Sequence, residues 1–348
     1  MTPRLAEVNR FAAALPRAVE RRTELVHSGI TECFRTFAGG GDGCEHVFID
    51  VYGPGAVLIV NEGSTLADTD TISLAAEAAL AALQRVGVKA VYAKPFAKDR
   101  SKLGGIHPDA LRDPTPAAGE PLPESIIVRE HECRFEARLW DGFSTGLFLD
   151  QRENRRELAR LVREHAARGG QPPRVLNTFA YTCGFSVSCA LAGAHVASVD
   201  VSPRYLDWGK RNFTHNALDP ASPAHRFARM DTFEFLDYAR RKALLFDLII
   251  LDPPSFASAD KRRGIRAWSS TIDYARLVER AAERLDPRGM RLLFASTNTL
   301  ELCRDGGRPL EREIVKGLGA PPTWLALPPA PIDFAPEPGR FAARLCRV

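Results

Sequence analysis

The sequence predicts an α/β protein, with a mostly parallel, doubly wound sheet and a smaller N-terminal α+β domain. From Arg174 onward, short apolar runs alternate with amphipathic stretches of helical length, the pattern of repeated βα units. These runs carry almost no polar residues inside, as strands covered by helices on both faces require. Earlier in the chain, "GGIHPDALRDPTPAAGEPLPES" (104–125) is rich in proline and glycine and resists both helix and central strand, so it marks a boundary between two folding regions.

The chain opens on a helical pattern, with Leu5, Val8, Phe11, Ala12 and Leu15 on one face and no continuous apolar core of the signal-peptide kind. "HVFIDVY" and "AVLIVNE" read as two strands around a Gly-Pro-Gly turn, followed by a helix over 72–86 and a strand "AVYAKPF". Residues 1–104 therefore form the small α+β domain, and 105–125 a linker. "SIIVREHECRFEARLW" alternates like a hairpin, so 126–150 is a connecting segment. "TGLFLDQRENRRELARLVREHA" then passes from strand or turn into an amphipathic helix at the head of the larger domain, 151–348.

In that domain the expected order is "RVLNTFA", a helix over 185–192, "HVASVD", a helix over 203–216, "HRFARMD", a helix over 232–242, "FDLIILDPP", a helix over 271–285 and "GMRLLFAST". "RFAARLCRV" supplies a last strand.

Composition narrows the function classes. Across 348 residues, 45% are hydrophobic and 26% charged, which suits folded domains rather than a disordered chain. The most apolar stretch, 72–87, is broken by Glu77 and Gln84 and reads as a packed helix, not a membrane span. A cytoplasmic protein is expected. Seven cysteines without a C-x-x-C pair and eight histidines without a ligand spacing argue against structural zinc and a disulfide framework. The net charge of +4 is compatible with RNA but does not require it.

In an open α/β sheet, ligands bind beyond the carboxyl ends of the strands. Here those ends are polar. The first leads into "NTFAYTCGFS", with one glycine, Gly184, where a dinucleotide-binding turn carries several to admit a pyrophosphate. The second ends at Asp200, which can accept from both hydroxyls of a ribose. The third ends at Asp231, a candidate acceptor for an adenine amino group and equally an N-cap for the helix that begins at Thr232. The fourth ends in Asp252-Pro253-Pro254. The prolines fix φ and donate no N–H, leaving carbonyls to face a ligand, and Phe256 can either stack on an unpaired base or sit in the core.

The stretches "TGLFLDQRENRR" (145–156), "LNTFAYTCGFSVSCALAGAHVASVDVS" (176–202), "YLDWGKRNFTHNAL" (205–218) and "FDLIILDPPSFA" (246–257), with the closing "FAARLCRV", resemble the class I S-adenosylmethionine-dependent methyltransferases. Among these they are most similar to enzymes of the 7-methylguanosine and 5-methylcytidine group that modify large-subunit (23S) ribosomal RNA. The resemblance covers most of 126–348, and "GITECFRTF" and "VFIDVY" look like the family's small central domain. A PUA-type domain, which some members carry, has no counterpart in this sequence.

The resemblance implies a Rossmann-like fold and S-adenosylmethionine as cofactor, with S-adenosylhomocysteine as product. It places Phe179, Ala180, Thr182 and Gly184 around the methionine portion, Asp200 at the ribose, and Asp231 with Thr232 at the adenine. Arg152, in F-L-D-x-R, would hold the cofactor carboxylate or shape the rim. Asp252 would border the cofactor and, with the Pro253 carbonyl and Phe256, orient the acceptor base.

The 5-methylcytidine branch needs a cysteine to attack C6, which members carry after the fifth strand. Here Ser296 and Thr297 occupy that place in "LLFASTNT", while Cys183, Cys189 and Cys303 lie elsewhere. The 7-methylguanosine branch is closer, because guanine N7 has a lone pair and needs positioning rather than a covalent nucleophile. The basic runs "KPFAKDRSK" (94–102) and "ADKRRGIR" (259–266) are candidate phosphate contacts or solvated surface, and Trp268 is a stacking residue or a core anchor. The expected partner is large-subunit ribosomal RNA, with a homodimer left open and neither metal nor membrane called for. The alternatives are a cytosine-C5 methyltransferase with a displaced cysteine, a methyltransferase for small molecules or proteins, an NAD-dependent oxidoreductase, and a non-enzymatic RNA-binding factor.

Overall fold

In the computed structural model the chain divides into two compact units, Met1–Arg152 with Ala330–Glu337, and Glu153–Pro329 with Pro338–Val348. The structure describes residues 3–96, 112–142, 144–258, 267–337 and 339–348. The basic run 259–266 and all but the first three residues of the run 94–102 lie outside the described residues.

The first unit begins with α1 (Pro3–Glu20) and α2 (Thr23–His27), followed by β1 (Cys33–Ala38), β2 (Val47–Tyr52), β3 (Gly55–Asn61), α3 (Thr69–Leu83), β4 (Ala90–Phe96) and β5 (Ala118–Gly119). The strands form one sheet in the order β1-β2-β3-β4-β5, antiparallel except for β3 beside β4, which α3 joins by a crossover. Phe11 and Leu15 of α1 pack with Ala75, Ala79 and Leu83 of α3 against Ile49, Leu58 and Val60 of the sheet. Leu5, on the apolar stripe in sequence, stays 44% exposed, so the stripe buries its second turn and beyond. The expected hairpin is present as β6 (Ile126–Glu130) and β7 (Cys133–Ala137).

Three features of this unit depart from the sequence reading. Residues 105–111 of the expected linker lie outside the described residues, but β5 pairs with β4, so the rest of that stretch completes a sheet edge. The hairpin belongs to the first unit rather than standing between two domains. Residues 330–337, expected in the larger domain, also belong here. The Asp333 carboxylate accepts from the Arg35 backbone N–H at 2.9 Å, and the Phe334 ring lies 4.5 Å beneath the Arg35 guanidinium.

The second unit contains α4 (Arg152–Ala166) from its second residue on, β8 (Arg174–Thr178), α5 (Gly184–Leu191), β9 (His195–Asp200), α6 (Pro203–His215), β10 (His225–Arg229), α7 (Thr232–Arg241) and β11 (Leu248–Leu251). A short pair follows, β12 (Phe256–Ala257) and β13 (Trp268–Ser269), then α8 (Ser270–Ala282), β14 (Leu292–Thr297), α9 (Leu300–Leu318), β15 (Thr323–Leu325) and β16 (Ala342–Arg347). The main sheet runs β10-β9-β8-β11-β14-β16-β15, with β10 through β14 parallel and β16 antiparallel to both neighbours. Alternate strand residues serve opposite faces. Leu176, Val199, Ile249 and Leu293 meet α7, α8 and α9, whereas Phe294 meets Phe185 of α5 at 5.4 Å.

Neither α9 nor β15 was expected from sequence. Gly306, Gly307 and Pro309 are helix breakers, and α9 does kink there, with positive φ at Asp305, Gly306 and Gly307. Buried Leu302, Cys303, Leu310 and Ile314 on either side of the kink hold both halves to the core.

Candidate functional site

Because β8, β9, β10 and β11 are parallel and adjacent, the residues following each one lie along a single edge of the sheet. This brings together the turn 179–184, Asp200, Asp231 and Asp252.

The turn after β8 is unusual in its backbone. Phe179, Tyr181 and Cys183 all have positive φ, at 54°, 49° and 65°, and none is glycine. Strain of this kind persists only where neighbours over-determine it, and four hydrogen bonds do so here. Ala180 N–H donates to Val199 O at 2.8 Å and Cys183 N–H to Ala180 O at 2.7 Å. Tyr181 N–H donates to Asp200 Oδ2 at 2.8 Å, and Asn212 Nδ2 donates to Thr182 O at 2.9 Å. Gly209 of α6 lies against the turn, where a Cβ would stand 2.4 Å from Cys183 Sγ. Sequence reasoning missed Asn212 and Gly209, since their signal, the "GKRN" of α6, shows its purpose only when α6 meets the turn. Gly184 opens α5, and Thr182 and Ala180 are buried behind the turn.

Asp200 accepts from Tyr181 N–H through one oxygen and from Ser202 N–H through the other, each at 2.8 Å. Each oxygen keeps a further lone pair, the chemistry needed for a vicinal diol. Burial pushes the Asp200 carboxyl above the ordinary carboxylate range, against the lowering effect of the two N–H donors. Asp231 Oδ1 caps α7, accepting from Phe233 N–H at 2.8 Å and Glu234 N–H at 3.4 Å, with Thr232 buried beneath it. Capping uses one oxygen. Oδ2 has no protein partner among the described residues.

Asp252 accepts from Ser296 Oγ at 2.7 Å, so the serine at the end of β14 orients the carboxylate. The Ser296 carbonyl accepts from Tyr274 Oη at 2.7 Å, and burial raises that phenol well above its usual range. The two prolines have different tasks. The Pro254 carbonyl accepts from Trp268 Nε1 at 2.7 Å and Ser270 Oγ at 2.9 Å, turning it inward, while the Pro253 carbonyl has no such partner among the described residues. Trp268 is the core anchor of its two readings, 6% exposed and 5.8 Å from the Phe179 ring. Phe256 on β12 is 65% exposed, which rules out its core reading. Ser255 Oγ donates to Asn298 Oδ1 at 2.7 Å, a second tie between the loops after β11 and β14.

Arg152, the first residue of α4, is buried. It is 1% exposed, its guanidinium pairs with Asp333 and donates to the Cys33 carbonyl at 3.3 Å, and it belongs to the first unit. In the structure the guanidinium is engaged in this internal pair, where the sequence reading has it hold a cofactor carboxylate or shape the rim. Cys183, Cys189 and Cys303 are all buried and unoxidised, and burial pushes the Cys183 thiol up to about 12. Among the described residues no cluster of His, Cys, Asp and Glu could hold a metal, and no helix is long and apolar enough to cross a membrane.

A parallel sheet with acids after its second, third and fourth strands, and a strained single-glycine turn after its first, defines an α/β protein built for a nucleoside ligand without a pyrophosphate. Residues 97–305 match the family model for S-adenosylmethionine-dependent methyltransferases, and the chain belongs to that family, whose cofactor is S-adenosylmethionine. It is 36% identical over 292 residues to Bacillus subtilis YwbD, provisionally named a ribosomal RNA large subunit methyltransferase, covering 83% of this chain and 66% of that protein. It is 34% identical over 288 residues to the ribosomal RNA large subunit methyltransferase of Deinococcus radiodurans, covering 80% of this chain and 64% of that one. The chain thus spans just under two thirds of the length of both. Among solved structures it resembles SMU.776, provisionally named a methyltransferase and complexed with S-adenosylhomocysteine, with a TM-score of 0.78 and 29% identity, over 98% of this chain and 82% of that one.

Proposed function

We propose that the chain transfers a methyl group from S-adenosylmethionine to a base nitrogen of large-subunit ribosomal RNA by direct displacement, with guanine N7 the favoured atom. The names of the two relatives support the substrate class. The observation that carries the chemistry is the Ser296–Asp252 hydrogen bond, because it makes the residue at the nucleophile position a donor to a carboxylate. A hydroxyl so engaged orients the carboxylate, and a serine lacks the intrinsic nucleophilicity of the thiolate that attack on cytosine C6 calls for. The buried thiols, Cys183 above all, are equally poor nucleophiles.

In this reading Asp200 receives the ribose hydroxyls, Asp231 Oδ2 the adenine amino group, and the turn Phe179–Gly184 the methionine portion. Bound there, S-adenosylmethionine supplies an electrophilic methyl on a sulfonium, and the acids of the rim favour that positive charge. Asp252 and the Pro253 carbonyl offer only acceptors, which suits the adjacent N1–H and N2–H of guanine better than the acceptor N3 of cytosine. Phe256, exposed beside them, provides a stacking platform for an unpaired base.

The test is nucleoside mass spectrometry on unmodified large-subunit ribosomal RNA after incubation with the full chain and methyl-labelled S-adenosylmethionine. Label in 7-methylguanosine is expected. Label in 5-methylcytidine would reinstate a cysteine mechanism, and label in no nucleoside, with cofactor bound, would move the acceptor to small molecules or proteins.

A further inference from the structure

We propose that Asn298 is a specificity-determining residue that donates to O6 of the acceptor guanine, an inference resting on the guanine reading above. β11 and β14 are neighbours in parallel register, with Leu251 opposite Ala295, so the residues that follow them face each other. The loop Asp252–Ser255 is tied to the end of β14 at both its first and its last residue, by Ser296 Oγ to Asp252 Oδ1 and by Ser255 Oγ to Asn298 Oδ1, each at 2.7 Å.

The second tie has a directional consequence. With its oxygen engaged by Ser255, the Asn298 amide keeps its two N–H donors out of that contact. Asn298 and Ser255 are both exposed, and among the described residues Nδ2 has no partner. A polar side chain tied through its oxygen at the rim, with its donors unused, is arranged for a ligand that brings acceptors.

The neighbouring groups say which ligand. Asp252 and the Pro253 carbonyl accept, and Asn298 Nδ2 donates, so the rim offers one donor beside two acceptors. Guanine presents the complement, O6 accepting, N1–H and N2–H donating. Adenine and cytosine carry an amino group where guanine has O6, and would set a donor against the Asn298 donor. Uracil carries O2 where guanine has its N2 amino group, and would set an acceptor against an acceptor. A site built to hydrogen-bond one pattern rejects others strongly, because its own polar groups are left unpaired.

The test compares Asn298→Ala, Asn298→Asp and Ser255→Ala in the full chain, measuring kcat and KM for label transfer to an unmodified large-subunit ribosomal RNA transcript, with S-adenosylhomocysteine affinity by calorimetry as control. Asn298→Ala should lower kcat/KM by about tenfold or more. Asn298→Asp should lower it further, since the new oxygen faces O6. Ser255→Ala should cost less than either, and all three should bind S-adenosylhomocysteine like the parent. The aspartate still accepts from Ser255, so parental activity in Asn298→Asp would show that fastening alone matters and overturn the proposal. Loss of S-adenosylhomocysteine affinity in the Asn298 variants would likewise assign the residue to holding the fold. If the parent chain labels no RNA nucleoside, the RNA reading itself falls and this one with it, whereas an active parent with indifferent Asn298 variants sinks only the inference.

Discussion

Asp200 holds a strained turn through Tyr181 N–H and, in the proposed reading, a ribose through its remaining lone pairs. Its carboxyl is raised by burial, so as pH falls it takes up a proton sooner than an ordinary aspartate would. Cofactor affinity, measured by calorimetry, should therefore weaken as pH is lowered toward the carboxylate range, and Asp200→Asn should bind more weakly at neutral pH without that dependence. The effect on folding has the opposite sign. A raised value means that the folded chain holds this proton more readily than the unfolded one, so the buried charge costs stability above the folded value and ceases to as pH falls through it. The three strand-end acids could be read from the sequence because each one follows a strand of the repeated βα pattern, and a parallel sheet sends such ends to one edge. The fates of Arg152 and Asn298 could not. Both depend on partners far away in the chain, Asp333 and Ser255, and no local pattern announces such a meeting.

Among the elements, the contact of α6 with the turn after β8 is the most demanding. Gly209→Ala would normally stabilise a helix by about 1 kcal/mol. Here the added carbon meets Cys183 Sγ at 2.4 Å and Cys183 Cβ at 3.0 Å, inside a turn that already carries three positive-φ residues. The expected result is a net loss of about 1–3 kcal/mol in denaturant unfolding, with weakened cofactor binding. Strong cofactor binding by this variant would show that the turn can shift freely. The longer strands and helices from β8 to β14 were legible within a few residues, whereas the two-residue strands β12 and β13 were not. Among those that sequence reasoning missed, α9 contains Gly306, Gly307 and Pro309, which local propensity counts against it and its burial overrides, whereas β15 is only three residues long, too short to show a period.

For the whole molecule, the domain boundary drawn at 105–125 follows composition, whereas the observed units follow packing, and the two differ most at residues 330–337. The carboxylate of Asp333 is fully buried, and it meets both the Arg152 guanidinium and the backbone of Arg35. Removing one partner of such a pair strands the other charge, so Asp333→Ala should destabilise the first unit by about 3–5 kcal/mol in chemical unfolding. Replacing both Arg152 and Asp333 with apolar residues of similar volume should recover most of that loss. If the single variant unfolds like the parent, the pair is not what fastens 330–337.

The same segment sets a schedule for biosynthesis. Chains generally fold domain by domain from the N-terminus as they leave the ribosome. Here the first 152 residues emerge early, but the acid that neutralises Arg152 and receives the Arg35 amide is translated only after almost all of the second unit. The earlier-translated of the two units is thus completed after the later one, and until then β1 lacks the acceptor for its Arg35 amide while everything between is folding.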